Sequence, residues 1–198
     1  TFGFASNADV RLQDIKRSAT GVCGTLEVDK TALEICVPQF GAHALVNAAA
    51  VISVGKALDL DLRELAKAMA DFVAPPGRGQ IMELKLSDGA AMLLDESFNA
   101  NPVSMRAALS IVQGLGKEQR KIGVLGDMLE LGESAPQLHA ELAEAVLAAG
   151  FEKVILVGPL MTNLSETLEG KLDVIHRSNS NDVADLLAEE LAPGDLVM

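Results

Sequence analysis

The spacing of apolar residues changes character along this chain, and each change predicts a different element. Residues 1–4 form a short strand-like run, while residues 9–17 are polar and mixed, without a period. Residues 22–28 and 33–37 are rich in β-formers and flank Asp29, Lys30 and Thr31, which predicts a hairpin. From His43 the period turns helical, with Leu45, Ala48, Ala49 and Ile52 at helix spacing among alanines that permit close packing. Asp61-Leu62-Arg63-Glu64 is a capping-box pattern, and Leu62, Leu65, Ala66 and Met69 form the stripe behind it. Pro75-Pro76-Gly77 ends that helix and marks the expected domain boundary, with units of residues 1–76 and 77–198.

Beyond the boundary the pattern becomes an alternation. Residues 81–86 and 90–94 read as strands around a Ser87-Asp88-Gly89 turn. A helix is expected from Pro102 to about Gln113, ended by Gly114 and Gly116. Strands follow at residues 121–125, 154–157 and 172–175, with another beginning at Leu196. Between them lie helices at residues 134–149, 159–168 and 181–191, the first opened by a Ser134-Ala135-Pro136-Gln137 capping box and closed by Gly150. Strands alternating with helices give an α/β fold with a mostly parallel sheet covered on both faces.

Hydrophobic residues make up 49% of the 198, enough for a sizeable core. The net charge is −12, unevenly divided: seven basic and nine acidic residues in 1–76, nine and nineteen in 77–198. No basic cluster suggests nucleic acid or a membrane surface, and no segment is long enough to span a bilayer. Cys23 and Cys36 lack C-x-x-C spacing and a histidine cluster, so reduced cytosolic thiols are expected, with neither metal nor disulfide. The chain starts at Thr1 and stops at Met198 inside strand-like runs, which reads as a piece of a longer protein.

The chemistry concentrates at Leu94-Asp95-Glu96-Ser97-Phe98-Asn99-Ala100-Asn101-Pro102, a loop leaving the carboxyl end of a strand. Open α/β sheets bind ligands at that edge. Adjacent side chains at a strand end point to opposite sides, so only one of Asp95 and Glu96 faces a ligand squarely. Asn101 before Pro102 also reads as a helix N-cap, and Asn99 and Asn101 have a turn-shaping reading beside the functional one. His43 and Asn47 stand one helical turn apart and could hydrogen-bond a planar base, or only cap and solvate the helix. Arg78, between Gly77 and Gly79, has the donor fork that matches phosphate oxygens; the alternative is an exposed linker arginine. Asp127, in Gly123-Val124-Leu125-Gly126-Asp127-Met128-Leu129-Glu130-Leu131-Gly132, ends a strand and could receive an amine or orient a loop. His139 fits a surface or satisfied, partly buried histidine better than a catalyst. Neither G-x-G-x-x-G nor a P-loop with Lys-Ser/Thr occurs, so a nucleotide site here is half a site.

In order, Gly41-x-His43-x-x-x-Asn47, Pro76-Gly77-Arg78, residues 95–102 and Leu125-Gly126-Asp127-Met128-Leu129-Glu130-Leu131-Gly132 resemble the motifs of the Mur ligases. Within that family they look like the type that joins D-alanyl-D-alanine to UDP-N-acetylmuramoyl-tripeptide. The resemblance implies the end of a central ATPase domain followed by most of a C-terminal Rossmann-like domain. It implies ATP, with magnesium bound mainly by groups outside the chain, a monomer, and a cytoplasmic place in peptidoglycan precursor synthesis. It makes His43 and Asn47 the adenine contacts, Asp95 or Glu96 the ribose contact, and Arg78 the γ-phosphate contact on domain closure. Ser97, Phe98, Asn99, Asn101 and Asp127 are substrate-side candidates. Ala44 stands where asparagine is common, Glu96 aligns with the usual ribose aspartate, and Phe98 replaces a commoner tyrosine. The alternatives are another ligase of the superfamily, such as a folylpolyglutamate synthetase, and a non-catalytic Rossmann-like module.

Overall fold

The structure, a computed structural model, describes residues 1–18, 20–116 and 119–198. The chain divides into two compact units, Thr1–Pro75 and Pro76–Met198.

In the first unit, β1 (Phe2–Gly3), β2 (Val10–Arg17), β3 (Val22–Val28) and β4 (Thr31–Val37) form one sheet in that order. β1 runs parallel to β2, and the other pairs are antiparallel. β3 buries Val22, Gly24, Leu26 and Val28 and leaves the residues between them half-exposed, the period of two of a one-sided strand. Asp29 and Lys30 have φ of 48° and 64°, as a tight two-residue hairpin requires. β2 corrects the expectation for residues 9–17. Only Val10 and Leu12 are buried on it, and its register shifts between Gln13 and Lys16, with Asp14 at φ 52°. Pairing with β3 imposes this strand, so its own pattern did not announce it.

That hairpin also overturns the expectation of free thiols. Pairing Val28 with Thr31 puts Cys23 directly opposite Cys36, with their Cα atoms 4.1 Å apart, and the two are joined as a disulfide. Sequence spacing alone does not contain that register.

α1 (Ala42–Ala57) and α2 (Leu62–Met69) cover the sheet. Ala44, Leu45, Ala48, Ala49 and Ile52 pack on Val10, Leu12, Leu26 and Ile35. A Cβ on Gly55 would lie 2.2 Å from Leu65 Cδ1, so glycine there lets α2 close on α1. Asp61 caps α2 by accepting from Arg63 N–H and Glu64 N–H, while Glu64 pairs with Lys67 instead of completing a capping box.

The second unit holds a six-stranded sheet of order β5-β6-β10-β7-β8-β9. Its strands are β5 (Gln80–Leu86), β6 (Gly89–Asp95), β7 (Lys121–Gly126), β8 (Lys153–Val157), β9 (Asp173–Arg177) and β10 (Leu196–Val197). Only β5–β6 is antiparallel, and the rest is a parallel α/β sheet. The helices are α3 (Pro102–Gly114), α4 (Ala135–Ala140), α5 (Ala143–Ala149), α6 (Thr162–Leu168) and α7 (Val183–Glu190). From β6 through β9 the crossovers advance in one direction, and α7 belongs to the return to β10. Right-handed crossovers therefore put α3 to α6 on one face and α7 on the other. α3 touches α5, and α6 touches both α4 and α5, as neighbours in one layer should.

The expected single helix at residues 134–149 is two. Leu142 N–H bonds back three residues to His139 O, tightening one turn, and Ser134 lies in a 3₁₀ turn without capping through its side chain. Gly150, at φ 76°, does close α5. At the amino edge of β7, buried Lys121 donates to Val112 O and Ala149 O, the last-turn carbonyls of α3 and α5. Among the described residues no helix is long and apolar enough to cross a membrane.

Candidate functional site

β6 delivers Asp95 to the carboxyl edge of the second unit's sheet, and the chain then turns through residues 96–101 into α3. The turn is built from its own polar side chains. Asp95 Oδ1 accepts from Ser97 N–H at 3.1 Å and from Ser97 Oγ at 2.6 Å. Asn99 Oδ1 accepts from Ala100 N–H at 2.8 Å. Asn101 Oδ1 accepts from Val103 N–H and Ser104 N–H, and Ser104 Oγ accepts from Asn101 N–H, a reciprocal capping box. Asn101 is thus the N-cap of α3, the structural reading of that residue.

Asp95 and Glu96 diverge here. Asp95 Oδ2 accepts from Gly77 N–H at 3.2 Å, so both its oxygens are committed to the protein. Glu96 is half-buried, and among the described residues its carboxylate accepts no hydrogen bond. Desolvation, and then the charge of Asp95, push its pKa above the ordinary glutamate value. A desolvated carboxylate without a partner is poised for a hydroxyl or amine donor.

Gly77, Arg78 and Gly79 are fixed to this turn. Phe98 N–H donates to Gly77 O at 3.1 Å, and Gly79 N–H to Asp95 O at 2.8 Å. Gly77 has φ 74°, and a Cβ there would lie 2.8 Å from Phe98 N. The glycines serve close approach and left-handed backbone. Arg78 is exposed, with its guanidinium 3.8 Å from the centroid of the Phe98 ring.

Beside the turn, a cavity of about 590 Å³ opens at the carboxyl ends of β6, β10, β7 and β8. That volume falls in the ~300–1,000 Å³ range of small-molecule sites. Leu93, Val124, Val157, Val183 and Leu187 supply apolar walls; Glu96, Ser97, Phe98, Asn99 and Asp127 are among its other lining residues, and Asn101 is not. Asp127 accepts from Met161 N–H at 2.9 Å and Leu160 N–H at 3.1 Å, so it orients the turn before α6. Sequence reading missed the contribution of β8 and α7, because Val157, Val183 and Leu187 look like any core residues. His139 is a satisfied histidine, as expected, but more deeply buried than expected. That ring is fully buried: Nε2 accepts from Met128 N–H at 2.9 Å, which leaves Nδ1 to donate to Ala135 O at 2.6 Å. It ties the loop after β7 to α4.

In the first unit, His43 and Asn47 share the exposed face at the start of α1. The part of the His43 ring packed on protein is desolvated, which holds its pKa below the ordinary histidine value. A neutral ring next to an amide offers donors and acceptors suited to a heterocycle.

The family model described as Mur ligase, glutamate ligase domain matches residues 77–198. The chain belongs to the Mur ligase family. Among curated Mur ligase relatives, the UDP-N-acetylmuramoyl-tripeptide–D-alanyl-D-alanine ligase of Bacillus subtilis (strain 168) is 27% identical over 202 residues, covering 100% of this chain and 43% of the relative. The Escherichia coli (strain K12) enzyme of the same name is 30% identical over 154 residues, covering 78% of this chain and 33% of the relative. MurF from Acinetobacter baumannii superposes with a TM-score of 0.80 at 23% identity, over 99% of this chain and 42% of that one. MurF from Thermotoga maritima in complex with ADP gives 0.78 at 21%, over 99% and 43%. These structural likenesses speak to the fold. This Mur ligase chain spans less than half the length of each of these relatives.

Proposed function

We propose that the chain is part of an ATP-dependent amide-bond ligase of peptidoglycan precursor synthesis, the MurF type, that adds D-alanyl-D-alanine to UDP-N-acetylmuramoyl-tripeptide in the cytoplasm. Residues 1–76 are assigned to the central ATP-binding domain and 77–198 to the C-terminal domain. The observation that carries this reading is the arrangement at the sheet edge. A desolvated Glu96, whose carboxylate accepts no hydrogen bond among the described residues, lines an apolar cavity, and Phe98 on the same lining braces Arg78, in a chain of this family.

The residues present suit the nucleotide half of such a site. His43 and Asn47 are assigned to the base, Glu96 to ribose hydroxyls, and Arg78 to the γ-phosphate. Asp95 and Asn101 are assigned to holding the loop. Among the described residues no three acidic, histidine or cysteine side chains group as a metal site, and magnesium is assigned to groups outside this chain. ATP activates the tripeptide carboxylate as an acyl phosphate, and the amine of the dipeptide displaces phosphate to form the amide. Negative charge grows on phosphate oxygens along that path, where a guanidinium fork stabilises it. The part of the cavity lined by Val124, Gly126 and Asp127 is assigned to the dipeptide.

The test is steady-state kinetics of Arg78→Ala in the full-length protein at saturating peptide. We expect kcat to fall by about a hundredfold or more, with a smaller rise in KM for ATP. Arg78→Lys should recover only part, because a point charge lacks the fork. An unchanged kcat would make Arg78 a linker residue.

A further inference from the structure

Building on that reading of Arg78, we propose that Phe98 acts by positioning the Arg78 guanidinium and not by contacting substrate itself. Phe98 is 63% exposed, so core packing does not explain an aromatic ring there. Its ring lies under the guanidinium, whose carbon is 3.8 Å from the centroid, well inside cation–π range.

The backbone shows that this stacking is built in. Phe98 N–H donates to Gly77 O, Gly77 N–H to Asp95 Oδ2, and Gly79 N–H to Asp95 O. These bonds flank Arg78 on both sides and fix its Cα against that of Phe98. A side chain at residue 77 would push the two segments apart, since its Cβ would lie 2.8 Å from Phe98 N. The Asp95–Phe98 turn is therefore a bracket for residues 77–79, with the ring as its contact surface.

Stacking has a chemical consequence. A free arginine side chain must give up many rotamers to meet an anion. A guanidinium held by its face has already lost part of that freedom, and its donors lie in the plane at its edge, where a phosphate approaches. A tyrosine ring would serve as well, because the face and not the para substituent makes the contact. Leucine would fill the space without the negative face.

Full-length protein carrying Phe98→Leu, Phe98→Tyr, Arg78→Ala and the Arg78→Ala/Phe98→Leu pair tests this. An exposed cation–π contact predicts about a two- to fivefold lower kcat for Phe98→Leu, with KM for ATP changed less. Phe98→Tyr should retain the unaltered rate. Phe98→Leu should add nothing in the Arg78→Ala background, because the ring acts only through the arginine. A second readout needs no turnover. In nitrogen-15 NMR spectra, the Arg78 Nε–Hε signal, identified by its loss in Arg78→Ala, should be shifted upfield by the ring. It should return to the ordinary arginine position in Phe98→Leu and stay shifted in Phe98→Tyr. Additive losses in the double variant, a Phe98→Tyr as slow as Phe98→Leu, or an unshifted Arg78 signal would overturn the proposal. If Arg78→Ala slows turnover and Phe98→Leu does not, the positioning role alone fails. If Arg78→Ala leaves kcat unchanged, the phosphate reading fails and takes the role of Phe98 with it.

Discussion

Two neighbouring acids show how position within a turn separates chemically similar residues. Asp95 commits both oxygens to Gly77 and Ser97, while Glu96 is desolvated and, among the described residues, accepts no hydrogen bond. Folding raises the Glu96 pKa, so the folded state holds its proton more tightly than the unfolded one. Stability therefore falls as pH rises through and above the ordinary glutamate value of 4.5. Glu96→Gln should melt higher than the unaltered chain at pH 7, and the gap should close as pH approaches 4, where the native glutamate is protonated too. Thermal melts across that range check the sign. In the full-length protein the same variant should bind ATP roughly tenfold or more weakly, the loss expected of a hydrogen bond to a charged group. A site that gains stability when its acid is neutralised keeps that acid for binding.

At the scale of elements, the entry to α3 is the best-determined junction. Asn101 and Pro102 were legible as a helix start, because capping and proline at the first helical position are local chemistry. The structure adds the reciprocal bond, donated by Asn101 N–H to Ser104 Oγ. Asn101→Ala should lower stability by about 1 kcal/mol in denaturant titration, with an unchanged slope. The start of α4 looked equally clear and was not: Ser134 makes no cap, because the preceding loop already coils into a 3₁₀ turn. His139 explains part of that loop's course. Its ring bonds Met128 N–H and Ala135 O, contacts between residues 11 and 4 apart in sequence that no periodicity announces.

At the scale of the whole molecule, the second unit closes through its last strand. β10 sits between β6 and β7, and buried Asp195 just before it takes a bidentate grip from Arg120. That bond, above all, holds the Asp195 carboxyl below the ordinary aspartate value. Its stabilising effect is complete above the unfolded value of 3.8 and is lost as pH falls through the lower folded one. Asp195→Asn should destabilise the unit by about 2 kcal/mol, less than the ~3–5 of a fully buried pair, because the Arg120 side chain is 29% exposed. The penalty should shrink in acid, and melts of both proteins at pH 7 and pH 3 measure it. The 198 residues also contain no Gly-Lys-Ser/Thr phosphate loop. The purified chain by itself should therefore form no ADP above the buffer rate. Release of ADP by contaminant-free protein would refute the reading that this chain holds only half a nucleotide site.

The sequence by itself determined the two hairpins, the helices with strong local caps, the alternation that makes an α/β sheet, and the motif order that marks the family. These depend on periodicity and on contacts between near neighbours, which a linear string records. Tertiary structure alone decided that β2 is a strand, that Cys23 meets Cys36, and that Asp95 is structural while Glu96 is open. It also gathered Leu93, Val124, Val157 and Leu187 into one cavity and laid Phe98 under Arg78. Those facts depend on register and strand order, which are set by pairing between segments far apart in the chain and leave no local periodicity to read.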